Sequence, residues 1–408
     1  MKILLIYENK KAKLLNIIRI GINPFKKFVS TGEIKEELGF VQSRQHILDS
    51  IQNLLENNEN FILPIIGPVG IGKTHLFWAR KQKLTISNTL YLSLENIYRK
   101  FFYNLYSEYM EEMGVGVLRY ITSKLCEEWG ALERKFGFFQ VADIKKVRKN
   151  AFEKLSVTFE DKIALNDVIN AITAHQLDPY KKAESENWLL GELMDFKDLS
   201  HLDLLYDLRH KNYAYTILKI IIENTKLGCT LFIDDFEKLI SLMKVEKESE
   251  DIFEPSWLYE NDSDSPESIA AQKILNKIIK LQKIKGLRII ITLKSIKYLE
   301  EIKKIVKEKD EILSVNFKEP IILSEFTEND IYEFYRETMK LFLKNVNYLK
   351  FYEEFPDSYF PLNEKILRSV YESTFGNPRE IIKSLIKIFN EIIYSNEGIE
   401  EILNHYEI

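Results

Sequence analysis

The chain has 408 residues, with 62 Asp and Glu against 57 Lys and Arg and a formal net charge of −5. That length supports a large core spread over about two or three structural units, and that charge balance excludes a polyanion binder working by bulk electrostatics. Only Cys126 and Cys229 are present, far apart and without histidine neighbours, which excludes a disulfide framework and a zinc ribbon and suits a reducing cytoplasm.

The apolar start, Ile3 to Tyr7, is too short for a signal segment and runs into Glu8, Lys10 and Lys11. No later run approaches the length of a membrane span, so a cytoplasmic protein without membrane contact is expected. Residues 21 to 60 read as an extended arm, with Asn23-Pro24-Phe25 and then Gly39-Phe40-Val41-Gln42-Ser43-Arg44, followed by an amphipathic helix on Ile47, Ile51, Leu54 and Leu55.

The apolar run Phe61 to Ile66 predicts a strand, and it leads directly into Gly67-Pro68-Val69-Gly70-Ile71-Gly72-Lys73-Thr74. This is the form G-x-x-x-x-G-K-[ST]. Its glycines let backbone N–H groups surround a phosphate chain, Lys73 reaches the β- and γ-phosphates, and the Thr74 hydroxyl binds Mg²⁺. The helix that follows adds its positive end. The expected nucleotide contacts are Gly67, Pro68, Val69, Gly70, Ile71, Gly72, Lys73, Thr74 and His75, with ATP and Mg²⁺ as cofactors.

Thr89 to Leu94 predicts a second strand, and from Glu95 to about Lys211 the spacing turns helical, as in Phe101, Phe102, Leu105, Tyr106 and Tyr109. A helix from about Tyr213 to Lys226 precedes Thr230-Leu231-Phe232-Ile233-Asp234-Asp235-Phe236-Glu237. Here an apolar strand ends in acids. Asp234 is expected to share the metal with Thr74, Asp235 to orient the attacking water, and Glu237 to offer a second carboxylate for that role. The stretch 246–267 is rich in acids and reads as a surface loop that could dock a partner.

Leu287 to Ser295 predicts another core strand ending in the polar residues Thr292 and Lys294, and Ile321 to Leu323 the last one. Beyond it the pattern is helical: Thr327-Glu328-Asn329-Asp330 forms a cap, and Gly376-Asn377-Pro378-Arg379-Glu380 opens a helix running to about Tyr394. Pro378 suits the first helical turn and aims Arg379 reproducibly.

Taken together, Asn23-Pro24-Phe25, Phe40 to Arg44, the loop at 67–74, the acidic strand end at 230–237 and Gly376-Asn377-Pro378-Arg379 resemble the origin-recognition branch of the AAA+ ATPases and the related STAND ATPases. The resemblance implies an α/β fold, namely a P-loop NTPase three-layer core with a parallel sheet. Residues 1–60 would be an N-terminal arm and helix, 61–324 the core with a helical insertion at about 97–211, and 325–408 a helical lid. It also implies an arm packed by the adenine, sensor roles for Thr292 and Lys294, and Arg379 with Pro378 reaching over the nucleotide from the lid. Trp188-Leu189-Leu190-Gly191 is similar to a segment of STAND-like defence ATPases.

The chain departs from the family pattern at several places. Gln42-Ser43-Arg44 replaces G-R-E, Asp235 stands where most members carry Glu, and Lys294 replaces an Arg and loses its planar fork. No Arg lies between Arg288 and Arg336, the interval from which ring enzymes present an arginine finger, and no winged-helix-sized segment follows the lid before Ile408. A slow ATP-hydrolysing switch is therefore expected rather than a fast motor. Its output is read first as DNA transactions or genome maintenance. The alternative is a STAND-like signalling or defence ATPase that assembles as a homo-oligomer or on a protein partner, through the helical insertion or the 246–267 loop.

Overall fold

The computed structural model describes residues 2–29, 41–56, 59–83, 88–94, 100–135, 138–141, 143–244, 266–309, 316–348, 359–395 and 397–407. The acidic stretch expected as a partner loop lies outside these residues except for its end, where Pro266 and Glu267 begin the Pro266–Leu281 helix.

Seven strands are described: β1 (Ile62–Ile66), β2 (Asn88–Ser93), β3 (Leu132–Lys135), β4 (Phe138–Val141), β5 (Cys229–Asp234), β6 (Leu287–Leu293) and β7 (Ile321–Ile322). Five form one sheet in the order β2-β5-β6-β1-β7. With helices joining its parallel strands this is an α/β fold, as the alternation of apolar runs and helical stretches predicts. Residues of β1, β5 and β6 are buried throughout, the signature of parallel strands covered on both faces.

Two compact units divide the chain. The first comprises Met1–Glu56, Ile65–Leu84 and Pro320–Ile408, and the second Asn57–Pro64 and Thr85–Glu319. The boundary runs through β1.

In the first unit Ile65 and Ile66 pair with Ile321 and Ile322, and the Lys73–Lys83 helix follows. The Asn23-Pro24-Phe25 arm is fastened to the C-terminal helices. The Asn23 Nδ2 donates to Ile386 O at 2.9 Å and Asn390 Oδ1 at 3.0 Å, while its Oδ1 accepts from Phe25 N. The buried Phe25 ring lies edge-on to Phe389 at 5.0 Å and stacked on Tyr335 at 5.9 Å. Arg44, also buried, donates to Ser324 O and sits over the Phe326 ring. Ser43 donates to Asp330 Oδ1 at 2.8 Å. Thr327 and Asp330 form the expected reciprocal cap of the Glu328–Asn345 helix.

In the second unit β2 and β5 pair from Asn88↔Cys229 to Ser93↔Asp234, and β5 pairs β6 from Cys229↔Leu287 to Ile233↔Ile291. The segment expected to be wholly helical also contains a hairpin, in which Leu132 faces Val141 and Lys135 faces Phe138 across antiparallel β3 and β4. Four-residue strands are too short for their period to stand out between long helices, and the paired phenylalanines favour strand over helix.

The helices of this segment are held by a polar chain that runs from the buried His175 to the exposed Arg119. His175 Nε2 lies 2.9 Å from Glu186 Oε2, and His175 Nδ1 lies 3.2 Å from Thr122 Oγ1. Arg119 meets Glu186 in a two-point pair at 2.6 and 2.7 Å. The fully buried Trp188 donates to Tyr206 O at 3.0 Å, and buried Asp167 accepts from Leu205 N and Tyr213 Oη. Among the described residues no helix is long and apolar enough to cross a membrane.

The hydrogen bond from Arg119 holds the Glu186 carboxyl down to about 2, while burial lowers the His175 pKa from its usual value. A depressed carboxylate stabilises the fold above its unfolded pKa and loses that contribution as pH falls through the folded value. A histidine with lowered pKa acts in the same direction, since the unfolded chain takes up its proton first. Stability should therefore decline as pH drops below about 6.5 and again between about 4.5 and 2. Glu186→Gln should lower Tm at neutral pH and remove the second decline, as read from Tm against pH for both proteins; parallel curves would contradict this.

Candidate functional site: a glycine-rich loop and an acidic strand end

The loop 67–74 belongs to the first unit. Ile66 O accepts from Leu323 N at 2.8 Å, fixing the strand that leads into it, and Ile71 is buried beneath it while Val69 is 55% exposed at its tip. Gly67 admits no side chain, because a Cβ there would lie 2.8 Å from Ile71 Cγ2 and 3.1 Å from Leu323 O. Lys73 opens the helix and is itself buried, its Nζ donating to Gly67 O at 2.7 Å and Pro68 O at 3.1 Å. Thr74 and His75 lie in the first turn of this helix and are half-buried. The His75 ring sits 5.8 Å from Phe28, and desolvation pushes its pKa down to about 4, so it is neutral at physiological pH.

The helix Pro378–Tyr394 meets this loop with its first turn. Asn377 caps it by accepting from Arg379 N and Glu380 N, with Pro378 at the first helical position. The same Asn377 donates Nδ2 to Val69 O at 3.1 Å, and Arg379 N donates to Gly70 O at 3.1 Å. Gly70 has φ of +87°, and a Cβ on it would lie 2.7 Å from Asn377 Oδ1 and 2.9 Å from Arg379 Cβ. Glycine is thus required both by the backbone conformation and by the approach of the helix.

The acidic strand end belongs to the second unit. Asp234 closes β5 with its carboxylate held from three sides: Thr292 Oγ1 donates to Oδ1 at 2.5 Å, Asp235 N to Oδ1 at 3.1 Å, and Tyr91 Oη to Oδ2 at 2.8 Å. Tyr91 stacks on Phe232 at 6.0 Å. Tyr91 is a site residue that the sequence alone does not single out. The alternation in β2, where Leu90 and Leu92 are buried and Tyr91 and Ser93 less so, marks its face, but the partner becomes visible only with the β2–β5 register.

Asp235 adopts φ of +49°, a strained conformation for a residue with a Cβ. Its side chain turns to the surface and pairs with Lys238 at 3.1 Å, and its N–H donates to Thr292 Oγ1 at 2.9 Å. Thr292 therefore clamps both acids. Glu237 is different: it is buried, and neither carboxylate oxygen accepts a hydrogen bond among the described residues. Its Oε1 lies 3.5 Å from the half-exposed Lys294 Nζ. An acceptor-only carboxylate of this kind is costly to bury unless a cation or a donor completes it.

No protein-family model matches the chain, and no curated protein matches it.

The Glu237–Lys294 contact is open to direct measurement. Lys294→Ala leaves a buried carboxylate without its cation and should lower thermal stability, and Glu237→Gln should reverse most of that loss. A double-mutant cycle should give a coupling of about 1 kcal/mol; additive effects of the two changes would contradict the pairing.

Proposed function

We propose that the chain is a P-loop ATPase of AAA+ type that binds ATP with Mg²⁺ at the loop 67–74 and hydrolyses it slowly as a molecular switch. The observation that carries this reading is the junction of that loop with the helix Pro378–Tyr394: a lid-type helix with Arg379 in its first turn sits on the loop through Asn377 and Arg379 N. The glycine-rich loop, its buried Lys73 and the start of a helix at the same point fit a phosphate group. Lys73 and the loop N–H groups would hold the phosphates, and the Thr74 hydroxyl would bind the metal.

Bound Mg²⁺ neutralises phosphate charge and polarises the bond to be broken. The chain's part is to orient water and accept its proton. Between the two acids, Glu237 suits that part better than Asp235, because among the described residues its buried oxygens accept no hydrogen bond and its ion pair with Lys294 is the longer, 3.5 Å against 3.1 Å for Asp235 and Lys238. With no Arg between Arg288 and Arg336, turnover is slow. Arg379, free to approach a γ-phosphate from the lid side of the loop, would make ATP and ADP differ in how firmly they hold that helix, and only such differential contact lets a nucleotide drive a switch.

For the output, one observation favours the protein-docking reading over DNA. Between Leu193 and Tyr206 of the 97–211 segment, Leu193, Phe196, Leu205 and Tyr206 expose 67%, 86%, 61% and 45% of their surface. Exposed large apolar side chains suit a protein partner, whereas a DNA surface asks for concentrated Lys and Arg.

Lys73→Ala should weaken Mg·ATP binding at least about tenfold in a titration, from the loss of charged hydrogen bonds. Unchanged affinity would overturn the reading. Glu237→Gln should preserve binding and slow hydrolysis about 100-fold, with Asp235→Asn slowing it less. The opposite ranking would return the water-orienting role to Asp235.

A further inference from the structure

We propose that Asn377 is a positioning residue of the phosphate loop, holding it in the shape that receives the nucleotide, an inference that rests on the ATP-binding reading above. Four consecutive loop carbonyls have donors. Lys73 Nζ serves Gly67 O and Pro68 O, Asn377 Nδ2 serves Val69 O, and Arg379 N serves Gly70 O. In a trans peptide the N–H of the next residue points opposite to the carbonyl. Drawing the Val69 and Gly70 carbonyls toward the helix therefore turns the N–H groups of Gly70 and Ile71 to the other face of the loop. Those are donors of the kind that line an anion-binding concavity.

The side chain of Asn377 is suited to this in a way no other capping residue is. Its Oδ1 already accepts from Arg379 N at 3.1 Å and Glu380 N at 3.4 Å, so the amide orientation is settled and Nδ2 faces Val69 O. Ser and Asp cap helices about as well as Asn, yet neither carries a donor of that reach. The close approach of Gly70 to both Asn377 and Arg379 leaves little room for the loop to move while the helix is seated. Asn377 and Arg379 thus divide the work. Asn377 shapes the loop for any polyphosphate, and the Arg379 side chain distinguishes ATP from ADP.

The test is a titration of the full chain with Mg·ADP and with Mg·ATP, alongside Tm and circular dichroism. Asn377→Ser should keep the helix content, because the cap is retained, should lower Tm by no more than about 2–4 °C, the cost of one hydrogen bond, and should weaken ADP and ATP alike by about three- to tenfold. Asn377→Thr, which also caps a helix without adding charge, should repeat that loss if the serine variant is destabilised. Arg379→Ala should weaken ATP more than ADP. If Asn377→Ser binds both nucleotides as the wild type does while Lys73→Ala has lost them, the positioning role is overturned and the ATP-binding reading stands. A wild-type chain that binds neither nucleotide overturns both.

Discussion

A glycine-rich turn has almost no side chains with which to hold itself, so its shape depends on where its carbonyl groups find donors. In this chain the carbonyls from Gly67 to Gly70 are met by Lys73 from within the loop and by Asn377 and Arg379 from a helix three hundred residues away in sequence. The rest of the first unit is arranged around that meeting. Gly376, with φ of +71°, turns the chain so that Asn377 can cap the next helix, and Phe326 N donates to Gly376 O at 2.8 Å. The Asn23-Pro24-Phe25 arm and Arg44 then fasten the C-terminal helices from outside, through Ile386, Asn390, Phe389 and Ser324.

The second unit carries its chemistry differently. Asp234 is held by Tyr91, Thr292 and the Asp235 backbone, so its direction is fixed by neighbouring strands of a rigid parallel sheet. Among the described residues Glu237 meets no hydrogen-bond donor in its buried place and pairs with Lys294. One acid is thus secured and the other kept available, the division expected when one carboxylate holds a cation and another takes up a proton. The strain at Asp235, the residue between them, is consistent with a sharp turn that separates the two environments.

The sheet was readable because parallel strands buried on both faces appear as continuous apolar runs, and Phe61 to Ile66, Thr230 to Asp234 and Leu287 to Leu293 are such runs. The hairpin β3–β4 was hidden by its brevity. Helix starts at Thr327 and Pro378 were legible from their capping residues, since caps are local chemistry. Tyr91 was not, because its partner lies on another strand and only register brings Tyr91 and Asp234 together. Asn377 was noticed within its motif, but the motif points to Pro378 and Arg379; its amide contact with Val69 is a long-range event that no local pattern encodes. The strand order and the attachment of the Asn23-Pro24-Phe25 arm are tertiary in the same sense.

In the function proposed, the loop 67–74 and the helix beginning at Pro378 together form one ATP-responsive element. Hydrogen exchange of the full chain, followed peptide by peptide with and without saturating Mg·ATP, addresses it directly. Slower exchange is expected in peptides covering Gly67 to Leu76 and Gly376 to Ile382, with smaller protection of the latter by Mg·ADP. Exchange in both segments that is identical with and without Mg·ATP would contradict it.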